Sequence, residues 1–226
     1  MFIPVSDEKI LCQILGISQQ MSADYKQFDL ELWNLCYEAM QLKQFRGKEL
    51  SFIDLGMLLS RDLQSSSRQV LGMLSSASSC SFVTAMYADD IRRQFGHCGL
   101  NDSEIPNFLS EYPRVRFAET YWFNVQKTAI LDSVESAVSF FSLPRDIVEM
   151  VAGATTGNIT DFCRAQPQLQ QFRLTCSVDD VRDLIHWFKR EGVSGQEWNL
   201  RLRLMQSLKY SHSTAFEIIP ETREVA

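Results

Sequence analysis

The segment between residues 117 and 188 constrains the fold most, because signals for helices, turns and a strand follow one another there without interruption. Apolar residues recur at helical spacing over residues 117–138, which predicts a long amphipathic helix. The motif LPRD at 143–146 ends that helix and opens the next, since proline fits the first turn of a helix but not its interior. We predict that this second helix covers residues 146–151.

Three further elements complete the segment. Thr156 or Asn158 is expected to cap a third helix over residues 159–164, because both side chains can accept a hydrogen bond from the helix start. Apolar and polar residues then alternate over residues 169–176, which is typical of a short β-strand. Ser177 is expected to cap a fourth helix with acidic residues in its first turn.

This order of elements resembles FlhD, the subunit that joins FlhC in activators of flagellar and conjugation genes. The features that carry the resemblance are VQ at 125–126, SAVSF at 136–140, LPRD at 143–146, a helix start at Thr156 and QLQQFR at 168–173. The resemblance covers about a third of the chain. It implies a mainly α-helical fold and a non-catalytic subunit of a transcriptional regulator that acts with a more basic, FlhC-like partner.

Two motifs of the first half echo motifs of the second half. LSRDL at 59–63 echoes LPRDI at 143–147 with an offset of 84 positions, and ADDIR at 88–92 echoes VDDVR at 178–182 with an offset of 90. The halves keep register if 90 − 84 = 6 residues were gained or lost in one loop between the echoes. Residues 80–86 then occupy the place of a strand in the first half.

Two FlhD-like halves in tandem would make a pseudo-dimer within one chain, because FlhD-like subunits are similar to one another in forming intertwined homodimers. We expect a mainly α fold with one short strand per half: a first half over residues 1–96, a linker over 97–113, a second half over 114–210 and a tail over 211–226. The alternative is a single helical domain whose helices share capping chemistry. Whether two such chains associate further into a homo-oligomer stays open. The candidates for a dimer or partner interface are Trp33, Tyr121, Trp122 and Phe172.

The first half and the linker carry weaker signals. Residues 28–45 predict an amphipathic helix, and the polar residues 18–24 before it are expected to be a link. Residues 103–109 predict a short helix that ends before Pro113, because the residue before a proline avoids the helical region.

Positive charge concentrates near the end of an otherwise acidic chain. The formal net charge is −6, which argues against nucleic-acid binding over the general surface. Residues 184–209 hold five lysines and arginines against two glutamates, and GVSG at 192–195 fits the turn of a helix-turn-helix. The candidates for contact with DNA phosphates are Lys189, Arg190, Arg201, Arg203 and Lys209. The alternative is a solvated face on an antiparallel helix pair.

Catalytic, metal and membrane functions find little support in the sequence. The six cysteines are scattered without a C-x-x-C pair, so we expect no metal site. Glycine-rich phosphate loops and nucleophile motifs are missing, so we expect neither an enzyme nor a cofactor. The sequence has no apolar run of membrane length and no signal peptide, so we expect a cytoplasmic protein.

Two functions follow from these observations. The first is a regulator subunit that contacts DNA together with an FlhC-like partner. The second is an adaptor or anti-regulator that binds another transcription factor without contacting DNA. Salt dependence separates them, because phosphate contacts release counterions and apolar docking does not.

Overall fold

We describe the protein from a computed structural model over residues 19–42, 52–66, 68–75, 79–97 and 112–191. Within these residues the chain is mainly α-helical, as the sequence predicts, and has one sheet of three short strands. The helices are α1 (Gln19–Gln41), α2 (Gly56–Gln64), α3 (Arg68–Leu74), α4 (Ala88–His97), α5 (Tyr112–Leu131), α6 (Val134–Phe141), α7 (Arg145–Gly153), α8 (Thr156–Ala165) and α9 (Val178–Glu191). The strands are β1 (Ile53–Asp54), β2 (Phe82–Thr84) and β3 (Phe172–Leu174).

The two longest helices, α1 and α5, pack antiparallel at the centre of the fold. Tyr25 near the start of α1 donates a hydrogen bond of 2.5 Å to Asp132, just past the end of α5. Glu38 near the end of α1 lies 3.8 Å from Arg116 near the start of α5. Because α1 also packs on α2 and α3, and α5 on α6, α7 and α8, this helix pair organises the core.

The burial pattern of α1 recurs in α5. Every buried position described in α1 has a buried counterpart 89 residues later, as Trp33 and Trp122 illustrate. The buried positions of α1 are Tyr25, Phe28, Asp29, Leu32, Trp33, Cys36, Ala39 and Met40. Since both helices have the same period, a shared burial pattern means that they present equivalent faces to the core.

The sheet joins the two halves, in the order β1-β3-β2. The first half contributes two strands, β1 and β2, instead of the single predicted strand. β2 pairs antiparallel with β3, with Val83 opposite Arg173. Each of these two residues is the central residue of its strand, and they are 173 − 83 = 90 positions apart. The two strands therefore pair through equivalent central positions of the two halves. β1 pairs parallel with β3 at its other edge.

The last described helix of each half packs on the opposite half. α4 packs on α7 and α8, and α9 packs on α2 and α3. Aromatic rings of the two halves also contact each other: Phe82 contacts Phe117 at a centroid distance of 5.1 Å, and Phe95 contacts Phe162 at 4.2 Å. The buried apolar residues of both halves form one continuous cluster, so the halves share a single core.

The echo between residues 59–63 and 143–147 does not follow the register of this packing. Asp62 lies in the last turn of α2, whereas Asp146 lies in the first turn of α7. The buried side chains of the two helices correspond at an offset of 88, with Leu55, Leu59 and Leu63 matching Leu143, Ile147 and Val151. The offset of 84 is therefore wrong by four residues, about one helical turn, and no loop change of six residues is needed.

The predicted polar link is wrong, and the long helix predicted from residue 117 begins five residues earlier than expected. α1 begins at Gln19, so residues 19–24 of the expected polar link are helical. α5 begins at Tyr112, with Pro113 in its first turn, where the missing N–H of proline costs no hydrogen bond. The expected helix over residues 103–109 lies outside the described residues.

One predicted continuous helix and one predicted helix cap are also wrong. The helix expected over residues 117–138 is interrupted, because Ser133 caps α6 by accepting a hydrogen bond of 3.1 Å from the backbone N–H of Ser136. α8 is capped by Thr155, which accepts from the backbone N–H of Asn158 at 3.1 Å. In both places several neighbouring side chains have capping chemistry, and the packing of the helix decides which of them is used.

Candidate nucleic-acid and partner interface

α9 directs three basic side chains at the end of α2. Arg182, His186 and Lys189 are spaced four and three residues apart, so they share one helix face. Arg182 Nε and His186 Nε2 each lie 3.0 Å from Oδ2 of Asp62. Lys189 Nζ donates to the backbone oxygen of Asp62 at 3.2 Å and to Ser65 Oγ at 2.9 Å. This face fastens the last described helix of the second half to the first half.

The carboxylates of Asp62 and Asp146, which form ion pairs between the two halves, favour their charged form. Burial acts to raise the pKa of Asp62, but hydrogen bonds from His186 and Arg182 outweigh it and lower that pKa below its ordinary value. A related ion pair joins α4 to α7, where Arg92 Nε lies 2.6 Å from Asp146 Oδ2 and lowers the pKa of Asp146. Both carboxylates therefore stay charged at neutral pH and link one half to the other.

Two of the five predicted phosphate contacts lie among the described residues. Lys189 and Arg190 are exposed at the end of α9, next to the turn between α2 and α3. Arg201, Arg203 and Lys209 lie outside the described residues, as does the second helix of the predicted helix-turn-helix. The described part of the basic segment is thus an exposed helix end with cationic side chains.

The four predicted interface aromatics are core residues of this chain. Trp33, Tyr121, Trp122 and Phe172 are each at most 1% exposed. Their rings contact other rings of the core, for example Trp33 with Phe82 at 4.7 Å between centroids. They therefore belong to the shared core and offer no surface to a separate molecule.

Sequence reasoning missed a buried carboxylate in the first half. Asp29 is fully buried and accepts two hydrogen bonds of 2.6 Å, from the backbone N–H and from the hydroxyl of Ser81. The signal that could have found it is an aspartate next to Phe28 and one turn before Trp33, on the apolar face of a helix. Its counterpart in α5, at the offset of 89, is Ala118.

The buried tryptophans of the two halves also differ in their polar partners. Trp122 Nε1 donates to Gln170 Oε1 at 3.2 Å, and Gln170 Nε2 donates to the backbone oxygen of Phe162 at 3.3 Å. Trp33 Nε1 has no partner among the described residues. Cys80 stands in the place of Gln170, 90 positions earlier, so the first half lacks the amide acceptor at this position.

The buried thiols of the described region have a structural role. Burial raises the pKa of the Cys36 and Cys80 thiols, which keeps both protonated at neutral pH. Within the described residues, histidines, cysteines and carboxylates form no group of three or more that could hold a metal ion. Over the same residues, no helix has both the length and the apolar character needed to span a membrane.

Comparison with known proteins gives no match: no protein-family model, no curated protein and no solved structure matches the chain. The residues and their geometry are therefore the basis on which a function can be assigned.

Proposed function

We propose that the chain is a covalent pseudo-dimer of two FlhD-like halves and acts as a non-catalytic subunit of a transcriptional regulator. The observation that carries this proposal is the exchanged packing, in which α4 lies on the second half and α9 on the first, around one core. In an intertwined homodimer each subunit covers the apolar faces of the other, and two halves of one chain can do the same.

A more basic, FlhC-like partner supplies most of the DNA affinity in this proposal. The net charge of −6 opposes binding over the general surface, and a few phosphate contacts give only weak affinity by themselves. The basic end that begins with Lys189 and Arg190 then adds contacts once the partner has placed the complex on DNA.

The test is recovery of the tagged chain, with its bound proteins, from an extract of the cells that encode it. The recovered complex and the purified chain are compared for binding to fragments of those cells' own DNA at 50 and 200 mM salt, on the order of the range over which phosphate contacts weaken. We expect a basic protein to be recovered and the complex to bind DNA more tightly than the chain alone. In the complex, Arg201→Gln/Arg203→Gln should weaken DNA binding and leave partner recovery unchanged.

The second candidate is the adaptor that binds another regulator away from DNA. It is favoured by Ile130 and Leu131, which are 61% and 74% exposed at the end of α5 and form an apolar surface for a protein. The same experiment separates the two functions. A recovered transcription factor that has lost its DNA binding in the complex would contradict the regulator subunit and support the adaptor.

A further inference from the structure

Five cationic side chains form what we call the basic band, across the junction of the two halves. The basic band consists of Arg61, Arg68, Arg116, Lys189 and Arg190, from α2, α3, α5 and α9. All five residues are exposed. Arg61 and Arg68 lie in the first half, and Arg116 lies at the start of the second half. These three residues are far in sequence from the basic end at Lys189 and Arg190, so only the fold brings them near it.

One side of the basic band is joined through Glu38 on α1. Its two carboxylate oxygens lie 3.7 Å from Arg68 Nη2 and 3.8 Å from Arg116 Nη1. Both guanidinium groups remain open to solvent, with side chains 68% and 47% exposed. These long, exposed ion pairs stabilise the fold little, so both arginines can turn towards a bound anion.

The other side of the basic band is joined through Ser65, at the end of α2. Lys189 Nζ lies 2.9 Å from Ser65 Oγ. The backbone N–H of Ser65 donates to the backbone oxygen of Arg61 at 3.1 Å, which places Arg61 one helical turn before it. Lys189 thus contacts the end of α2 one helical turn after Arg61, and Arg190 follows Lys189 in α9.

The basic band is positive within an acidic chain. Five cations and Glu38 give a net charge of 5 − 1 = +4, so the remainder of the chain carries −6 − 4 = −10. The nearby carboxylate of Asp62 is already bound by Arg182 and His186. Such a separation of charge gives one surface an attraction for anions that the whole chain lacks.

The equivalent surface of the other half does not have this charge. At the offset of 88 between α2 and α7, Arg61 corresponds to Glu149. Arg68 and Thr156 occupy the first positions of α3 and α8, and Arg116 corresponds to Gln27 at the offset of 89 between α1 and α5. Two equivalent faces have thus diverged, and positive charge is found on one of them.

We propose that the basic band contacts the phosphate backbone of a nucleic acid, with Arg61, Arg68 and Arg116 extending the contact from the basic end onto the first half. This inference rests on the proposed regulator function. The cations are mostly arginines, whose planar guanidinium groups match phosphate oxygens. Their distribution over four helices suits an extended polyanion better than a single small anion.

The experiment measures binding of the full chain to a fluorescent duplex of about 30 base pairs and random sequence, by anisotropy at several salt concentrations on the order of 50–200 mM. The wild type should bind with a dissociation constant of about 10⁻⁴ to 10⁻⁶ M. The variant Arg61→Gln/Arg68→Gln/Arg116→Gln should bind at least about tenfold more weakly, and its salt slope should fall by about 0.9 for each phosphate that the variant no longer neutralises.

Matched variants control for net charge and folding. Arg93→Gln/Lys127→Gln/Arg145→Gln removes three exposed cations outside the basic band and should leave binding within about twofold of the wild type. Arg61→Lys/Arg68→Lys/Arg116→Lys keeps the charge and should retain most of the affinity. Thermal unfolding by circular dichroism confirms that each variant is folded.

The outcomes separate this inference from the proposed function. If Lys189→Gln/Arg190→Gln weakens binding and the triple variant does not, the extension onto the first half is wrong and the regulator function stands. If the triple variant and its matched control weaken duplex binding equally, net charge explains the binding and the proposal for the basic band is wrong. If the wild type binds vesicles of anionic phospholipid but not the duplex, the basic band is not a nucleic-acid surface. The proposed regulator function is then still tested by the DNA binding of the complex recovered from the cell extract.

Discussion

The first and second halves of the chain share their apolar framework and differ in their polar groups. The buried positions of α1 recur in α5, β2 recurs as β3, and α4 recurs as α9. Yet the first half buries Asp29 against Ser81, where the second half has Ala118. Apolar side chains must together fill one close-packed core, whereas a buried polar group needs only its own local partner. The two halves can therefore share an apolar framework and still differ in their buried polar groups.

The surfaces of the two halves differ still more. Arg61 in the first half corresponds to Glu149 in the second, a reversal of charge at equivalent positions. Surface substitutions away from caps and buried contacts change stability little, so they can accumulate without unfolding the protein. The two halves are therefore most alike in the shared core, less alike in their buried polar groups and least alike on the surface.

The largest expected effect tests whether the two halves unfold as one unit. Phe82→Ala and Phe172→Ala, 90 positions apart, each remove a buried ring and should each lower the free energy of unfolding by about 3–5 kcal/mol. Because one core holds both rings, urea unfolding followed by circular dichroism and by tryptophan fluorescence should show one transition in both variants. The exposed truncation Leu58→Ala should change little. Two separate transitions would mean that the halves unfold independently.

An intermediate effect compares the two exchanged ion pairs. Asp62→Asn should lower the free energy of unfolding by about 1–2 kcal/mol, because Arg182 and His186 lose a shared, partly buried partner. Asp146→Asn should cost less than about 1 kcal/mol, since the Asp146 side chain is more than half exposed and screened by solvent. Urea unfolding at neutral pH measures both costs, and a larger cost for Asp146→Asn would reverse the order of the two ion pairs.

The pH dependence of stability tests the charge of Asp62. The pKa of Asp62 is lowered in the folded state, so its stabilising contribution is complete above the ordinary carboxyl pKa of about 3.9 and is lost as the pH falls through the lowered value. Asp62→Asn should therefore flatten the acid side of the stability profile, measured by urea unfolding from about pH 3 to 7. An unchanged profile would show that Asp62 contributes nothing through its charge.

A small difference is expected between the two buried tryptophans. Trp33→Phe and Trp122→Phe remove similar ring volume, but among the described residues only Trp122 gives up a hydrogen bond, to Gln170. Trp122→Phe should be more destabilising by about 1 kcal/mol, measured by urea unfolding under identical conditions. Equal costs would mean that the hydrogen bond from Trp122 to Gln170 contributes nothing measurable to stability.

Much of the fold is predictable from local patterns in the sequence. The proline at 144 opens α7, alternation marks β3, and acidic residues mark the first turn of α9. The break between α5 and α6 is not predictable in this way, because the apolar spacing continues across Ser133. A cap and the tertiary hydrogen bond from Tyr25 to Asp132 accompany that break. Periodicity reports burial and does not show where a helix ends.

The candidate site is less predictable than the fold. Lys189 and Arg190 stand out because they lie in a locally basic segment. Arg61, Arg68 and Arg116 do not, because each lies among residues of mixed charge. Only the packing of α9 on α2 and α3, and of α1 on α3 and α5, unites them. The motif echo at residue 59 misleads for a similar reason. The similar sequences LSRDL and LPRDI lie at the end of one helix and at the start of another, so their matching residues make different contacts.

The pairing of β2 with β3 also governs how the chain can be made. At a synthesis rate of about 5–20 residues per second, the ribosome releases the 90 residues between these strands over about 5–20 seconds. Phe82 has no strand partner until then, and β1 likewise waits for Phe172. The nascent first half therefore exposes an incomplete apolar surface and unpaired strand edges, features that favour aggregation, until translation has passed the third strand.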